Sequence, residues 1–270
     1  MRHIDPVPRA VFFDLDDTLC DYRAARDARL RLAFSLARKG LATEKDDRSL
    51  TTMIARSIEM HPHGADHFGE LFAAFGLTEA AAVRAAEWYR RNRFHALELF
   101  PDAADVLREL RTTWSGRSPA AGMPLGIITN GPAEVQRAKI ELLGIEDLVD
   151  FVLISGEFGR AKPDPAIFQE ALRRAAVAPE DAIFVGDSPE FDIAGARAAE
   201  IEWDTPTLTV LRSVLMKRLR RMRCIQAAKL VPGVKLSCAA SAFASTSRQP
   251  GCCAVVRTAL ATGRPEHQCS

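Results

Sequence analysis

A doubly wound parallel α/β sheet, interrupted behind its first strand by a block of helices, is the fold this sequence predicts. Three observations predict it. From Pro101 onward, apolar runs of strand length alternate with stretches of helical periodicity, the pattern of consecutive βαβ units. Between residues 21 and 98, helical stretches follow one another with no convincing strand among them. Aspartates, a lysine and a threonine stand close behind the apolar runs, at the sheet edge where open parallel sheets bind their ligands.

The first strand is Ala10-Val11-Phe12-Phe13, an apolar run too short for a helix. Tyr22 to Lys39 then carries Ala, Leu and Phe at helical spacing and ends at Gly40, a residue that suits a helix terminus. Helical patterns continue through Ser49–Met60, Phe68–Phe75 and Glu79–Leu97, with breaks at Pro62-His63-Gly64 and at Gly76. Ala103–Arg111 reads as a helix and Ser115–Gly122 as a polar loop. Strands at Leu125–Thr129, Phe151–Ile154 and Ala182–Val185 alternate with helices at Glu134–Leu143, Pro165–Ala176 and Ile193–Ala199. Thr207–Leu211 is the candidate closing strand. The expected division is an α/β core at 1–20 and 99–215, a helical cap at 21–98 lying over the strand ends, and a tail at 216–270.

Composition excludes several classes. With 47% apolar and 26% charged residues, the 270-residue chain matches a globular protein large enough for a core domain with an inserted one. No run approaches the roughly 20 apolar residues of a membrane span, and Met1–Pro6 lacks the apolar stretch of a secretory signal. A cytoplasmic enzyme with no membrane partner is expected. The net charge of +1 hides a division. Residues 1–215 hold 26 Lys+Arg against 34 Asp+Glu, a net −8, whereas residues 216–270 hold 10 against the single acid Glu266, a net +9. Five of the six cysteines also lie in that last stretch.

A parallel sheet brings four polar strand ends to one edge. The first strand ends in Asp14 and Asp16, with Asp17 and Thr18 behind them; the second ends in Thr129-Asn130-Gly131. Lys162 precedes Pro163-Asp164-Pro165 at a helix start, and Ala182–Val185 leads into Gly186-Asp187, with Asp192 five residues on. A carboxylate is a competent nucleophile toward phosphorus, which assigns the attack to Asp14. Two anions repel, so a divalent cation is required. Mg²⁺ prefers a few carboxylates plus phosphate oxygens, with Asp14 and Asp187 as its first ligands. Thr129, Asn130 and Lys162 are the candidates for holding the phosphate, Lys162 adding fixed positive charge against the charge that develops there. Asp16 would protonate the leaving oxygen and later activate water.

Asp14-Leu15-Asp16-Asp17-Thr18-Leu19, Ile128-Thr129-Asn130-Gly131, Lys162-Pro163-Asp164-Pro165 and Gly186-Asp187-Ser188 with Asp192 resemble the four motifs of the haloacid-dehalogenase-like (HAD) hydrolase superfamily. They occur in the family's order over about residues 9–199. The resemblance implies a Rossmann-like core with a helical cap of the subfamily I kind. It also implies a Mg²⁺-dependent phosphatase for a small phosphorylated metabolite, of nucleotidase or sugar-phosphate type, working through an aspartyl-phosphate. By the same resemblance the backbone carbonyl of Asp16 is a metal ligand, and Asp192 either bonds the metal directly or supports the residues that do. In the dehalogenases of this superfamily the residue two after the nucleophile is not an acid, because a halide leaves without a proton; Asp16 therefore implies phosphate monoester hydrolysis. A phosphotransferase or mutase would share the site. A binding protein that kept the fold but lost catalysis, acting through its basic tail, is the alternative of another class.

Other segments read more plainly. Asp17 suits a helix cap. His61, His63 and His67 fit no standard zinc spacing and belong to a solvated loop. Trp88–Phe94 reads as a packed helix with exposed arginines. After Ala199 the family pattern fades, and the segment holding Lys217, Arg218, Arg220, Arg221 and Arg223 would bind polyanions or a protein, nucleic acid being expected as a partner nowhere else. A change of reading frame near Ala199 and a naturally divergent tail both explain that break.

Overall fold

The computed structural model describes residues 8–37, 46–61, 63–113 and 123–204. Its strands are β1 (Ala10–Phe13), β2 (Leu125–Thr129), β3 (Phe151–Ile154), β4 (Ala182–Val185) and β5 (Glu202–Asp204). They form one parallel sheet in the order β3-β2-β1-β4-β5. A parallel sheet is covered on both faces, so its strands are apolar throughout rather than alternating. Val11 and Phe13 join Leu125, Ile127, Ile183 and Val185 on one face, against α5 (Ala103–Thr113) and Ile140 of α6 (Ala133–Leu143). Ala10 and Phe12 join Ile128, Leu153 and Phe184 on the other, against α8 (Pro165–Ala175), which follows the one-turn α7 (Ser155–Phe158), with Phe168 edge-on to Phe184 at 5.1 Å. Burying each such ring contributes about 1.5–3 kcal/mol.

The chain starts in the middle of the sheet, steps outward to β2 and β3, and returns to the other side of β1 as β4. That reversal opens a crevice at the carboxyl ends of β1 and β4, where doubly wound folds bind ligands. Asp14 N donates to Val185 O at 2.8 Å and ties the two strand ends together there.

Four helices leave the sheet after β1: α1 (Tyr22–Ala37), α2 (Asp46–Met60), α3 (Phe68–Ala74) and α4 (Glu79–Arg91). They bury an apolar cluster of their own, in which Phe34 meets Phe68 and Phe72 edge-on at 5.0 and 5.3 Å. The two crossings between helices and sheet run side by side. Asp21 N donates to Glu98 O and Phe100 N to Leu19 O, both at 3.0 Å, about an antiparallel bridge between Cys20 and Leu99.

Three elements differ from expectation. α4 stops at Arg91 rather than Leu97, because the side chain and backbone N–H of Asn92 both donate to Trp88 O; the chain then turns, with Ala96 at φ +58°. The segment after β4 begins as a π-turn, Pro189–Ile193, and only then becomes α9 (Ala194–Ala198). A strand is present at Glu202–Asp204, earlier in the chain than the expected Thr207–Leu211, and Glu200 takes φ +59° at the turn before it. The expectations for Lys39-Gly40, Ser115–Gly122, Thr207–Leu211 and the tail at 216–270 lie outside the described residues.

Candidate active site

β1 delivers Asp14 into the crevice, and the chain then folds back on itself through Leu19 N to Leu15 O at 2.9 Å. Asp17 sits in the left-handed region at φ +61°. Its carboxylate accepts from Arg23 N at 2.7 Å, while that of Asp21 accepts from Ala24 N at 2.9 Å. Both answer N–H groups of the first turn of α1, which have no partner within the helix. Asp17 is a helix cap, as its position suggested.

Lys162 approaches from the loop before α8, where Asp164 caps the helix through Ala166 N and Pro165 occupies the first turn. Its Nζ donates to Asp14 Oδ1 at 2.5 Å and to Asp192 Oδ1 at 2.6 Å, and all three side chains are buried. Burying charges costs several kcal/mol per ion unless they are paired, so each of the three needs the others. Two supports fix the lysine. Asn130 uses both ends of its amide on the Lys162 backbone, accepting from its N–H at 2.8 Å and donating to its carbonyl at 2.9 Å. Asp192 accepts from Ser188 N at 3.0 Å through its second oxygen. Gly186 lets Asp192 come so close, since a Cβ there would lie 2.5 Å from the carboxylate.

Burial pushes the Asp14 carboxyl upward, with Asp192 adding to it, and Lys162 only partly opposes this. Burial pulls the Lys162 ammonium down, but Asp14 and Asp192 outweigh it and leave it raised. Asp187 is pushed up to about 6 by burial and then by Asp17 and Asp192, against Arg23 at 3.7 Å. Asp14, Asp187 and Asp192 each offer a carboxylate oxygen, and these oxygens lie within 4.8 Å of one another. With Lys162 the set carries two net negative charges when ionised. Such an all-oxygen donor set fits a divalent cation of the Mg²⁺ kind.

Asp16 points to partners that the motifs do not contain. Lys139 Nζ donates to its two oxygens at 2.8 and 2.6 Å, and Gln136 Nε2 lies 3.2 Å from Oδ2. Gln136 Nε2 also reaches the buried Thr129 Oγ1 at 2.6 Å and Asn130 O at 2.9 Å. Both residues are on α6, whose buried stripe is Gln136, Lys139 and Ile140. The signal was legible: polar residues at two of the three buried positions of an otherwise ordinary amphipathic helix. α1 carries the same anomaly, with Arg29 buried among Ala25, Leu30, Ala33 and Phe34.

Of the three histidines, His61 and His63 are exposed and His67 is half-buried. His61 stacks on His67 at 6.0 Å and accepts from Gly64 N at 2.7 Å, and His67 Nε2 is 2.7 Å from Ser57 Oγ. His63 reaches toward the site, its Nδ1 3.3 Å from Tyr22 Oη. In the Trp88–Phe94 stretch Tyr89 is buried, Arg90 pairs with Asp66, and Arg93 pairs with Glu134 at the start of α6.

An edge that holds a lysine-paired carboxylate beside a cluster of carboxylate oxygens has the groups that hydrolysis assisted by a divalent cation requires. Comparison with known proteins gives the family. The haloacid dehalogenase-like hydrolase pattern matches residues 8–200, and the chain belongs to that family. Glyceraldehyde 3-phosphate phosphatase of Methanopyrus kandleri is 36% identical over 71% of this chain and 80% of its own length. Ribulose-1,5-bisphosphate 5-phosphatase of Halopiger xanaduensis is 32% identical over 72% and 82%. Among solved structures, a HAD phosphatase from Thermococcus onnurineus superposes with a TM-score of 0.51 at 27% identity, covering 80% of this chain and 97% of that one. No described helix is long and apolar enough to cross a membrane.

Proposed function

We propose that the protein is a Mg²⁺-dependent phosphatase acting on a small phosphorylated metabolite through an aspartyl-phosphate on Asp14. It is a phosphoric monoester hydrolase of its family, as are the relatives named above. The observation that carries the mechanism is the sharing of buried Lys162 between Asp192 and Asp14, the latter standing two residues upstream of a second carboxylate, Asp16. Asp14 Oδ attacks phosphorus, forming a P–O bond as the bond to the leaving oxygen breaks, and Asp16 gives that oxygen its proton. Asp16 then takes a proton from water as the water attacks phosphorus, releasing phosphate and restoring the Asp14 carboxylate. Lys162 favours the charged form of Asp14 against the burial that opposes it, and stands against the charge on the phosphoryl oxygens. Thr129 Oγ, which accepts from Gln136, has its own proton to donate to one of those oxygens.

Asp14, the carbonyl of Asp16 and Asp187 would hold the Mg²⁺, with Asp192 bonding it or steadying Lys162 beside it. Bound there, the ion neutralises the repulsion between nucleophile and phosphoryl group. Residues 1–20 and 99–215 form the catalytic core in this reading and residues 21–98 its cap, working in the cytoplasm. Asp14→Asn keeps the volume and removes the nucleophile, so it should abolish phosphate release from p-nitrophenyl phosphate while the melting curve stays cooperative. Substantial residual turnover would refute the assignment. Phosphate released in step with alcohol separates hydrolysis from phosphoryl transfer to a second substrate.

A further inference from the structure

Gln136 stands where three parts of the site meet. From α6 its Nε2 lies 2.6 Å from Thr129 Oγ1, 2.9 Å from Asn130 O and 3.2 Å from Asp16 Oδ2, and the side chain is only 2% exposed. Lys139, one turn on along the same helix, holds Asp16 through both of its oxygens. The packing is close, for a Cβ on Gly131 would lie 3.1 Å from Gln136 Cγ.

The acceptors decide which way the amide faces. A backbone carbonyl only accepts, and so does a carboxylate. Turning the amide over would set Oε1 against both the Asn130 carbonyl and Asp16, so Nε2 stays toward them, and toward Thr129 with them. An amide nitrogen only donates. Thr129 Oγ1 therefore accepts at 2.6 Å, and the hydroxyl's single proton is obliged to point elsewhere. Thr129 ends β2 directly beside β1, where Phe13 pairs with Ile127, so that proton is offered at the same sheet edge as Asp14. Without the amide the hydroxyl is a free rotor.

We propose that Gln136 is a positioning residue that fixes the Thr129 hydroxyl as a donor to the phosphoryl oxygens, and is itself fixed by Asp16 and the Asn130 carbonyl. The inference rests on the phosphatase reading. One buried amide then ties phosphate binding to the carboxylate that handles the leaving-group proton.

Calorimetric titration of the full chain with inorganic phosphate, in the presence of Mg²⁺, reads this donor without needing turnover. Thr129→Val keeps the shape and removes the hydroxyl, so it should weaken phosphate binding about tenfold or more, as losing a hydrogen bond to a charged group does. Gln136→Met should weaken it about three- to tenfold beside Thr129, but less than about twofold in a Thr129→Val background. Thr129→Ser, which retains a hydroxyl, should bring the effect of Gln136→Met back. Gln136→Glu has the same size but accepts the hydroxyl's proton, so beside Thr129 it should lose more than Gln136→Met. Melting curves establish that each variant is folded, and Gln136→Glu carries the same cycle should Gln136→Met fail to fold. The inference is overturned if Thr129→Val leaves phosphate binding unchanged, or if Gln136→Met weakens it equally with and without the hydroxyl, as a residue that merely packs α6 would. Either result, with p-nitrophenyl phosphate still hydrolysed by the unaltered chain, leaves the phosphatase reading standing and removes this one. Absence of any hydrolysis removes both.

Discussion

Replacing Lys162 with Met tests the buried charge arrangement most directly. The two side chains are of similar length, so the substitution removes the ammonium with little change of packing. It leaves Asp14 and Asp192, 6% and 1% exposed, without the cation that each met at 2.5–2.6 Å. Breaking a buried pair from one side costs about 3–5 kcal/mol, against a total stability of roughly 5–15 kcal/mol. The variant should therefore fold at low temperature and unfold early. The cost also has a pH signature. Burial already raises Asp14 in the native state. A carboxyl raised on folding contributes stability at low pH that is lost as pH rises through its folded value. Removing Lys162 raises Asp14 above the value of about 8 it has beside the lysine, so the deficit should be flat up to about pH 7 and grow toward about pH 9.5, where the carboxyl ionises in the native protein before it does in the variant. Urea unfolding of metal-free protein, followed by tryptophan fluorescence at both pH values, measures this. A deficit below about 1 kcal/mol near pH 9.5, or one independent of pH, would refute the reasoning.

Two further outcomes follow from the same site. Lys139→Met frees Asp16 from its main donor, so the loss in kcat should be about ten to a hundred times larger for an alkyl phosphate, which needs a proton on its leaving oxygen, than for p-nitrophenyl phosphate, which does not; equal losses on both would make Lys139 merely structural. Asp187, raised to about 6 mainly by burial, lends stability to the metal-free protein that is present below its ordinary value of 3.8 and lost as pH rises through 6. Mg²⁺ requires the ionised form, so its effect on the melting temperature should be larger near pH 8 than near pH 5, and a pH-independent shift would count against Asp187 as a ligand.

The sheet was legible because each strand is short, apolar and followed by a helix-starting residue; Asp14, Lys162 and Asp187 were legible because strand ends in such a sheet converge. β5 was not, because Glu202-Trp203-Asp204 lies at the sheet edge beyond Glu200, whose positive φ is carried by a residue that gives no warning of a turn. The end of α4 was missed for a related reason: Asn92 stops the helix with its own side chain, and no glycine or proline marks the place. Gln136, Lys139 and Arg29 are marked locally by their place on otherwise apolar helix faces. What they face, Asp16 and Tyr22, is a long-range fact that this local mark does not contain. The side chain of Asn130, a candidate for holding phosphate, also bonds the Lys162 backbone, a link between strand end and loop that no local pattern contains.

Leu19 and Asp21 stand beside Glu98 and Phe100, joined by reciprocal backbone hydrogen bonds. To the α/β framework, the helices between them are therefore one oversized hairpin with fixed feet. The entropy of closing such a loop changes only logarithmically with its length, so its contents are nearly invisible to the strands beneath. The helices can thus change in number or length at little cost to the strands that carry Asp14 and Asp187.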